Sequence, residues 1–522
     1  MKKQLFCFLI LFILSTNLLI HGQQQVKIPW PSLADSPWPI LRGDMQGTGR
    51  SEYIGPRTNN VIWKKDMPLG VIYGPLIGYD DNLYMGSRAL SLDTVNYFYS
   101  LDKHGNDNWI FATETYYPNN VGPILGNDST IFFGSRNSKI YALDFFGNEK
   151  WNVTGLPIGV QNFTISRDKF GNFYIPITDT IIVISSDGSS ERKIPWAGVY
   201  LRGIMFSPTG DTMYFKDESR QFGWTGNLKS TDLEGNVNWS FNPGIINWGL
   251  PLIDNQNNVY VLGRDTTLEQ NFLFAISPSG LLNWKYQIQG FNQVTAPTID
   301  KHGNIIFPAF VDRNGEEKSA IISLDYNGNE NWTTILDLGV DIYDNWINHE
   351  LVCDAEGKVY CGSSNGPYFY CLDSYGTILW TLDMGDLEYD SCPAIGSDGT
   401  LYIGAHKSST FPYHTQNLIA VKDRPNSVSD YTVVTEYNLY QNYPNPFNPS
   451  TTIKFALPVK TNLSLSVYNT LGEKVAEIFN GELEEGYHEI EFRAESSLPS
   501  GIYFYRLESG KFTSVKKMII LR

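Results

Sequence analysis

A tryptophan recurs along the chain at a nearly constant interval, and this constrains the fold more than any other feature. Trp63, Trp109, Trp151, Trp196, Trp239, Trp284, Trp332 and Trp380 are separated by 46, 42, 45, 43, 45, 48 and 48 residues. All but Trp63 follow a copy of one cassette, typified by Tyr141-Ala-Leu-Asp-Phe-Phe-Gly-Asn-Glu-Lys-Trp151. Alternation through Leu143 predicts a strand. Asp144 and Gly147 predict a tight turn, because Asp bonds its own backbone and Gly takes positive φ, and Trp151 falls on the returning strand. Hairpins such as Pro297-Thr-Ile-Asp-Lys-His-Gly-Asn-Ile-Ile-Phe307 precede the cassettes. Pro75, Pro123, Pro251, Pro297 and Pro393 are expected to open first strands, where the N–H can be spared.

Four short strands per period of this length specify a β-propeller. Eight copies give eight blades; a seven-bladed ring with one aberrant unit is the alternative, and the third copy (Ile181-Ile-Val-Ile-Ser-Ser-Asp-Gly, then Trp196) is the most degenerate. The ends of the array are complementary. Asn417–Asp423 is a third strand with no Trp after it, and Asn60–Trp63 is a Trp strand with no cassette before it. Pairing them in one blade would close the ring and remove two sheet edges.

The rest of the chain frames this array. Met1-Lys2-Lys3 followed by the mostly apolar Leu5–Ile20 reads as a signal peptide over residues 1–22, and no later segment is apolar enough to span a membrane. Residues 23–58 lead into the propeller at 59–423, a polar linker covers 424–436, and alternating runs over 437–522 predict a small immunoglobulin-like β-sandwich. A formal charge of −16 excludes a nucleic-acid binder, which needs a basic face. Cys353, Cys361, Cys371 and Cys392 lack metal or haem spacing and read as buried thiols, with a disulfide among them as the alternative that an exported protein permits.

Two resemblances attach to these segments. The Tyr-Ala-Leu-Asp…Gly…Trp cassette, with Trp38-Pro-Ile-Leu-Arg-Gly-Asp-Met-Gln-Gly-Thr-Gly49 ahead of it, resembles the pyrroloquinoline-quinone (PQQ)-like propeller repeat over about residues 38–423. That superfamily holds dehydrogenases, assembly scaffolds and non-catalytic binders, so the likeness implies fold more than activity. The C-terminal segment closely resembles the sorting domain of type IX secretion cargo. The match rests on Asn442, Pro444, Asn445, Pro446, Phe447, Asn448 and Pro449, on Gly501 and Tyr503, and on Lys516 and Lys517 in the closing strand. This resemblance implies recognition of 437–522 by an outer-membrane translocon, removal by a sortase-like peptidase, and secretion or attachment at the surface of a Bacteroidetes-type bacterium.

Chemistry is sparse. Quinoprotein dehydrogenases carry an adjacent cysteine pair, and the nearest two here are Cys353 and Cys361, so PQQ is not expected as cofactor; no motif supports Ca²⁺. Gly362-Ser-Ser-Asn-Gly366 matches G-x-S-x-G, but a strand rather than a helix follows it, which excludes a nucleophile elbow. The loops between each Trp strand and the next first strand should gather at one mouth of the propeller. Tyr73, Tyr116, Tyr117, Tyr200, Trp248, Trp346, His349, Glu350 and Tyr389 fall there as candidate ligand contacts for a glycan or protein. The sequence therefore reads as an exported, non-catalytic, monomeric binding propeller, with no assigned catalytic or metal residue. An extracytoplasmic enzyme, either a quinoprotein oxidoreductase or a polysaccharide-degrading enzyme, is the alternative.

Overall fold

The structure, a computed structural model, describes residues 24–67, 72–87, 96–113, 121–135, 139–156, 163–177, 179–196, 200–219, 225–246, 249–290, 296–313, 315–336, 347, 349–364, 366–389, 391–406, 416–424, 437–440, 442, 445–495, 497–510 and 512–521. The expected signal peptide lies outside these residues. The chain divides into two compact domains, Met1–Asp423 and Arg424–Arg522. Among the described residues both are all-β.

The first domain is a β-propeller built from antiparallel strand quartets. Repeat 2 shows the plan: Val121–Leu125, Thr130–Ser135, Lys139–Asp144 and Glu149–Val153 pair in sequence order. Repeats 1 and 3 to 7 follow it over 72–112, 166–195, 200–241, 252–288, 298–335 and 352–383. Repeat 8 is assembled from both ends of the array: Ala394–Ile395, Leu401–His406 and Gln416–Val421 come from one end, and Val61–Met67 supplies the fourth strand. Trp63 pairs with Ala420 just as Trp151 pairs with Ala142. The turn of this closing repeat spans a break in the sequence. The Asp423 carboxylate bridges the break, accepting the N–H groups of Arg57 at 3.0 Å and Thr58 at 2.8 Å.

Two proline expectations need correction. Pro75 and Pro123 lie inside Ile72–Ile77 and Val121–Leu125 rather than at their starts, and both strands change register there, between Ile72 and Leu76 and between Val121 and Ile124. A bulge is the other place in a sheet where a missing N–H is tolerated.

The cassette residues join neighbouring repeats. Asp144 accepts the N–H groups of Phe146 and Asn148, both at 2.9 Å, and so fixes the turn. Gly147 sits at φ 84°, and a Cβ there would lie 2.6 Å from the indole of Trp109 in the preceding repeat. That indole donates Nε1–H to the Phe145 carbonyl at 2.9 Å. Trp63, Trp239, Trp284 and Trp332 bond the matching carbonyls of the following repeats, those of Lys103, Pro278, Tyr326 and Ser374, and Trp380 bonds Pro56 beside the split turn. Trp151 lies under Gly188 in the same way. Trp196 departs from the ladder. Arg192 holds the latch position in repeat 3, donating to the Leu233 carbonyl at 3.1 Å, while Trp196 packs edge-on against Phe215, with 4.9 Å between ring centroids.

In three joints an aromatic side chain two residues beyond the latch forms a wedge between repeats. Phe111 meets Tyr141 at 5.6 Å, Phe241 meets Phe274 at 5.5 Å and Tyr286 meets Phe307 at 6.2 Å. Val153, Ile194, Thr334 and Leu382 hold the same place in other repeats, and Lys65 holds it in repeat 8.

The lead-in is a strap that runs across the first strands. Its backbone exchanges hydrogen bonds with Ile77 through Trp38, with Leu125 through Ala34 and Pro39, with Phe206 through Met45, with Ile253 through Gln46, with Ile299 through Thr48 and with Cys353 through Gly49 and Ser51. Trp30 bonds the Arg167 carbonyl in repeat 3, and the Ile54 carbonyl lies against Gly399 in repeat 8. Each of these first-strand partners is the last residue of its strand, so the strap crosses the end of the propeller where first strands turn into second strands.

The second domain has two antiparallel sheets. One holds Asn438–Leu439, Ser450–Leu457 and Gly486–Arg493; the other holds Thr461–Tyr468, Lys474–Leu483, Gly501–Ser509 and Phe512–Ile520. Phe447, Ile453, Phe455, Leu465, Val467, Tyr505, Leu507 and Met518 fill the space between them.

Candidate functional site

The expected mouth lies at the end of the propeller opposite the strap, where fourth strands connect to the next first strands. Tyr116, Tyr117, Trp248 and Trp346 are outside the described residues. Tyr73 and Tyr200 are described only as strand positions, in Ile72–Ile77 and Tyr200–Phe206.

The structure brings together His349, Glu350 and Tyr389. Tyr389 is in a two-residue strand, not a loop, and pairs with Ala405 at the edge of repeat 8. Its ring is fully buried and packs edge-on against His349 at 5.7 Å and Phe369 at 5.3 Å, and its hydroxyl donates to the Glu350 carbonyl at 3.0 Å. Tyr389 thus braces the segment that carries His349 and Glu350, both half-buried, rather than offering an open aromatic face. A Cβ on Gly362 would lie 2.4 Å from this ring, which explains a glycine at the end of that strand.

Arg42 of the strap is a residue to which the sequence assigned no function. It is completely buried, donates Nε–H to the Gly47 carbonyl at 2.9 Å and bonds the Pro297 carbonyl with a terminal nitrogen. Burial pulls its pKa down, and Glu350, Cys392, Asp44 and Tyr389 oppose that pull, so the strap's guanidinium and the Glu350 segment sense one another electrostatically.

The other candidate groups resolve into structure. His104 and His302 are exposed in Asp turns, donating backbone N–H to Asp102 and Asp300. Cys353, Cys361, Cys371 and Cys392 are free and buried, and desolvation raises all four thiol pKa values, leaving them unreactive at neutral pH. Ser364, the serine of the G-x-S-x-G match, is buried between the strands Val359–Gly362 and Tyr368–Leu372, an arrangement without the strand-to-helix elbow of a nucleophile. Among the described residues no group of three or more His, Cys, Asp or Glu side chains is placed to hold a metal, and no helix is long and apolar enough to cross a membrane.

In the second domain the Asn-Pro motif is folded onto the terminal strand. Asn442 is fully buried; its N–H reaches the Tyr505 hydroxyl at 2.7 Å and its side-chain amide reaches Thr451 at 2.9 Å. Asn445 accepts the Ile519 N–H at 2.7 Å, and Phe447 bonds both Ile519 and Leu521 through its backbone. Pro449 accepts from Ala494, and the buried Tyr503 donates to Pro499 at 3.0 Å. Gly501 begins the strand of Tyr503, Lys516 is half-buried and Lys517 exposed on the terminal strand, Pro446 and Asn448 flank Phe447, and Pro444 is outside the described residues.

Comparison with known proteins gives the following. Residues 441–521 match the family described as the secretion system C-terminal sorting domain. Such a domain implies export by the type IX secretion system, to the outside or the cell surface, and contact with its machinery. No curated protein matches the chain. Among solved structures, BamB from Moraxella catarrhalis is similar with 13% identity and TM-score 0.47, covering 69% of this chain and 99% of its own. Hydrazine synthase from Kuenenia stuttgartiensis is similar with 14% identity and TM-score 0.41, covering 57% and 93%. A protein of unknown function from Bacteroides caccae is similar with 13% identity and TM-score 0.30, covering 55% and 90%.

Proposed function

We propose that the chain is an exported, non-catalytic binding protein: an eight-bladed propeller, floored by its own strap, that offers the opposite mouth to an extracellular glycan or protein. In this reading a signal peptide takes the chain across the inner membrane. The type IX translocon then reads residues 437–522, and a sortase-like peptidase removes them, releasing the propeller or leaving it on the outer surface. The observation that carries the reading is the strap. It occupies the first-strand ends of the repeats, so recognition falls to the loops at the other end, which hold Trp248, Trp346, His349 and Glu350. Buried thiols and turn-bound aspartates account for the chemistry-bearing side chains without assigning them a reaction.

The purified chain on a glycan array should bind at least one extracellular saccharide, and joint Trp248→Ala and Trp346→Ala changes should weaken that binding about tenfold or more at unchanged thermal midpoint. Capture of no glycan and no surface protein would remove the reading. A chromophore retained after incubation with PQQ and calcium would replace it with an enzyme. Deleting residues 437–522 should leave the propeller inside the outer membrane; its normal appearance outside would break the export assignment.

A further inference from the structure

We propose that the joint between repeats 8 and 1 is a second binding site, a cleft for a neutral saccharide, separate from the mouth. The joint keeps its latch, Trp63 to the Lys103 carbonyl, but lacks the aromatic wedge that three other joints carry. Lys65 stands where Phe111, Phe241 or Tyr286 fill other joints. It reaches across the joint to Asp107 of repeat 1, at 3.1 Å, as an ion pair instead of an aromatic wedge. A cleft of about 440 Å³ opens as a result. Its floor is Tyr97 and Tyr99, with ring centroids 6.1 Å apart and planes tilted by 46°, together with Ile110, whose side chain is 54% exposed. Lys65, Asp66, Met67 and Asp107 complete its lining.

The lining selects a ligand class. A volume of this size suits a small ligand, and small-molecule sites pair an apolar floor with a few placed polar groups. Sugar rings present C–H faces that stack on tyrosines and hydroxyls that pair with carboxylates and an ammonium. One lysine against two aspartates disfavours phosphate, sulfate and acidic sugars. An occupant would touch the fourth strand of repeat 8 and the third and fourth strands of repeat 1, and so would hold together the two ends of the array.

The test is calorimetric titration of the purified full chain with maltose, cellobiose, lactose and diacetylchitobiose. One of these should bind saturably and raise the thermal midpoint, since a ligand bound only to the folded state stabilises it. Tyr97→Ala, Asp107→Asn and Ile110→Glu should each weaken binding about tenfold, whereas a sugar seated at the mouth would respond to the Trp248→Ala and Trp346→Ala changes instead. Ile110 is exposed, so its variant reports on binding even if Tyr97→Ala fails to fold. No binding by any of the four sugars, binding insensitive to Ile110→Glu and Asp107→Asn, or binding lost on changing Trp248 would each overturn the proposal. The last outcome would place the sugar at the mouth and leave the mouth reading standing.

Discussion

Repeats 2 and 8 share a strand plan and differ in how the chain supplies it. In repeat 2 one continuous segment makes the turn; Asp144 fixes it and Gly147 receives the neighbouring indole. In repeat 8 the turn is split, Asp423 binds the backbone of Arg57 and Thr58 across the break, and Lys65 stands where an apolar wedge belongs. The difference shows which parts of the repeat the ring needs. Strand register and latch survive in the closing repeat, while the wedge and the continuity of the turn do not.

Breaking the regular joint should have the largest effect. Gly147→Val places a branched side chain at positive φ and against the Trp109 ring, and should destabilise the propeller by about 3 kcal/mol; urea denaturation measures it. Asp423→Ala removes charge-assisted bonds from an exposed closure and should cost about 1–2 kcal/mol, with faster proteolysis near residue 57 as a local readout. Lys65→Leu replaces a half-exposed ion pair with a wedge. The pair is worth less than about 1 kcal/mol, so thermal unfolding should shift slightly upward while the cleft fills.

The smallest expected effect contrasts two turn aspartates. Side-chain and backbone bonds from Asn236 hold Asp232 below the usual carboxylate range, so its stabilisation is present above the unfolded carboxyl pKa and fades as pH falls toward the folded value. Burial raises Asp254 instead, so that group favours the folded state more as pH falls through its raised pKa. Carboxyl NMR titration should place Asp232 below and Asp254 above the reference of about 3.9. The opposite order would remove the distinction between exposed and buried turns.

The sequence revealed what recurs locally. Asp, Gly and Trp fall within one cassette, so counting copies was enough to expect the quartets and the pairing of Asn60–Trp63 with Asn417–Asp423. It failed where chemistry changed but position did not. Arg192 performs the latch with a guanidinium, which a search for tryptophan passes over, and Trp196 four residues later filled the gap in the count. Pro75 and Pro123 read as strand openers, and only the register shows them to be bulge residues. The strap was legible as a segment but not as a floor, because its partners are scattered from Ile77 to Cys353 and follow no period. Lys65 was visible as an odd residue only once the repeats were aligned on the latch. His349 and Glu350 were named as candidates by loop position alone, and Tyr389 turned from candidate contact to brace because its burial depends on Phe369 and Gly362.

The split closure has a mechanical side. The tail that export machinery would grip is tethered immediately after Gln416–Val421, a strand hydrogen-bonded along one edge to Leu401–His406 and along the other to Val61–Met67. Traction applied through the tether therefore loads two ladders at once, and one of them belongs to the opposite end of the array. A ring closed by its own final strand would peel open from such a pull, whereas this one shares the load between its first and last segments.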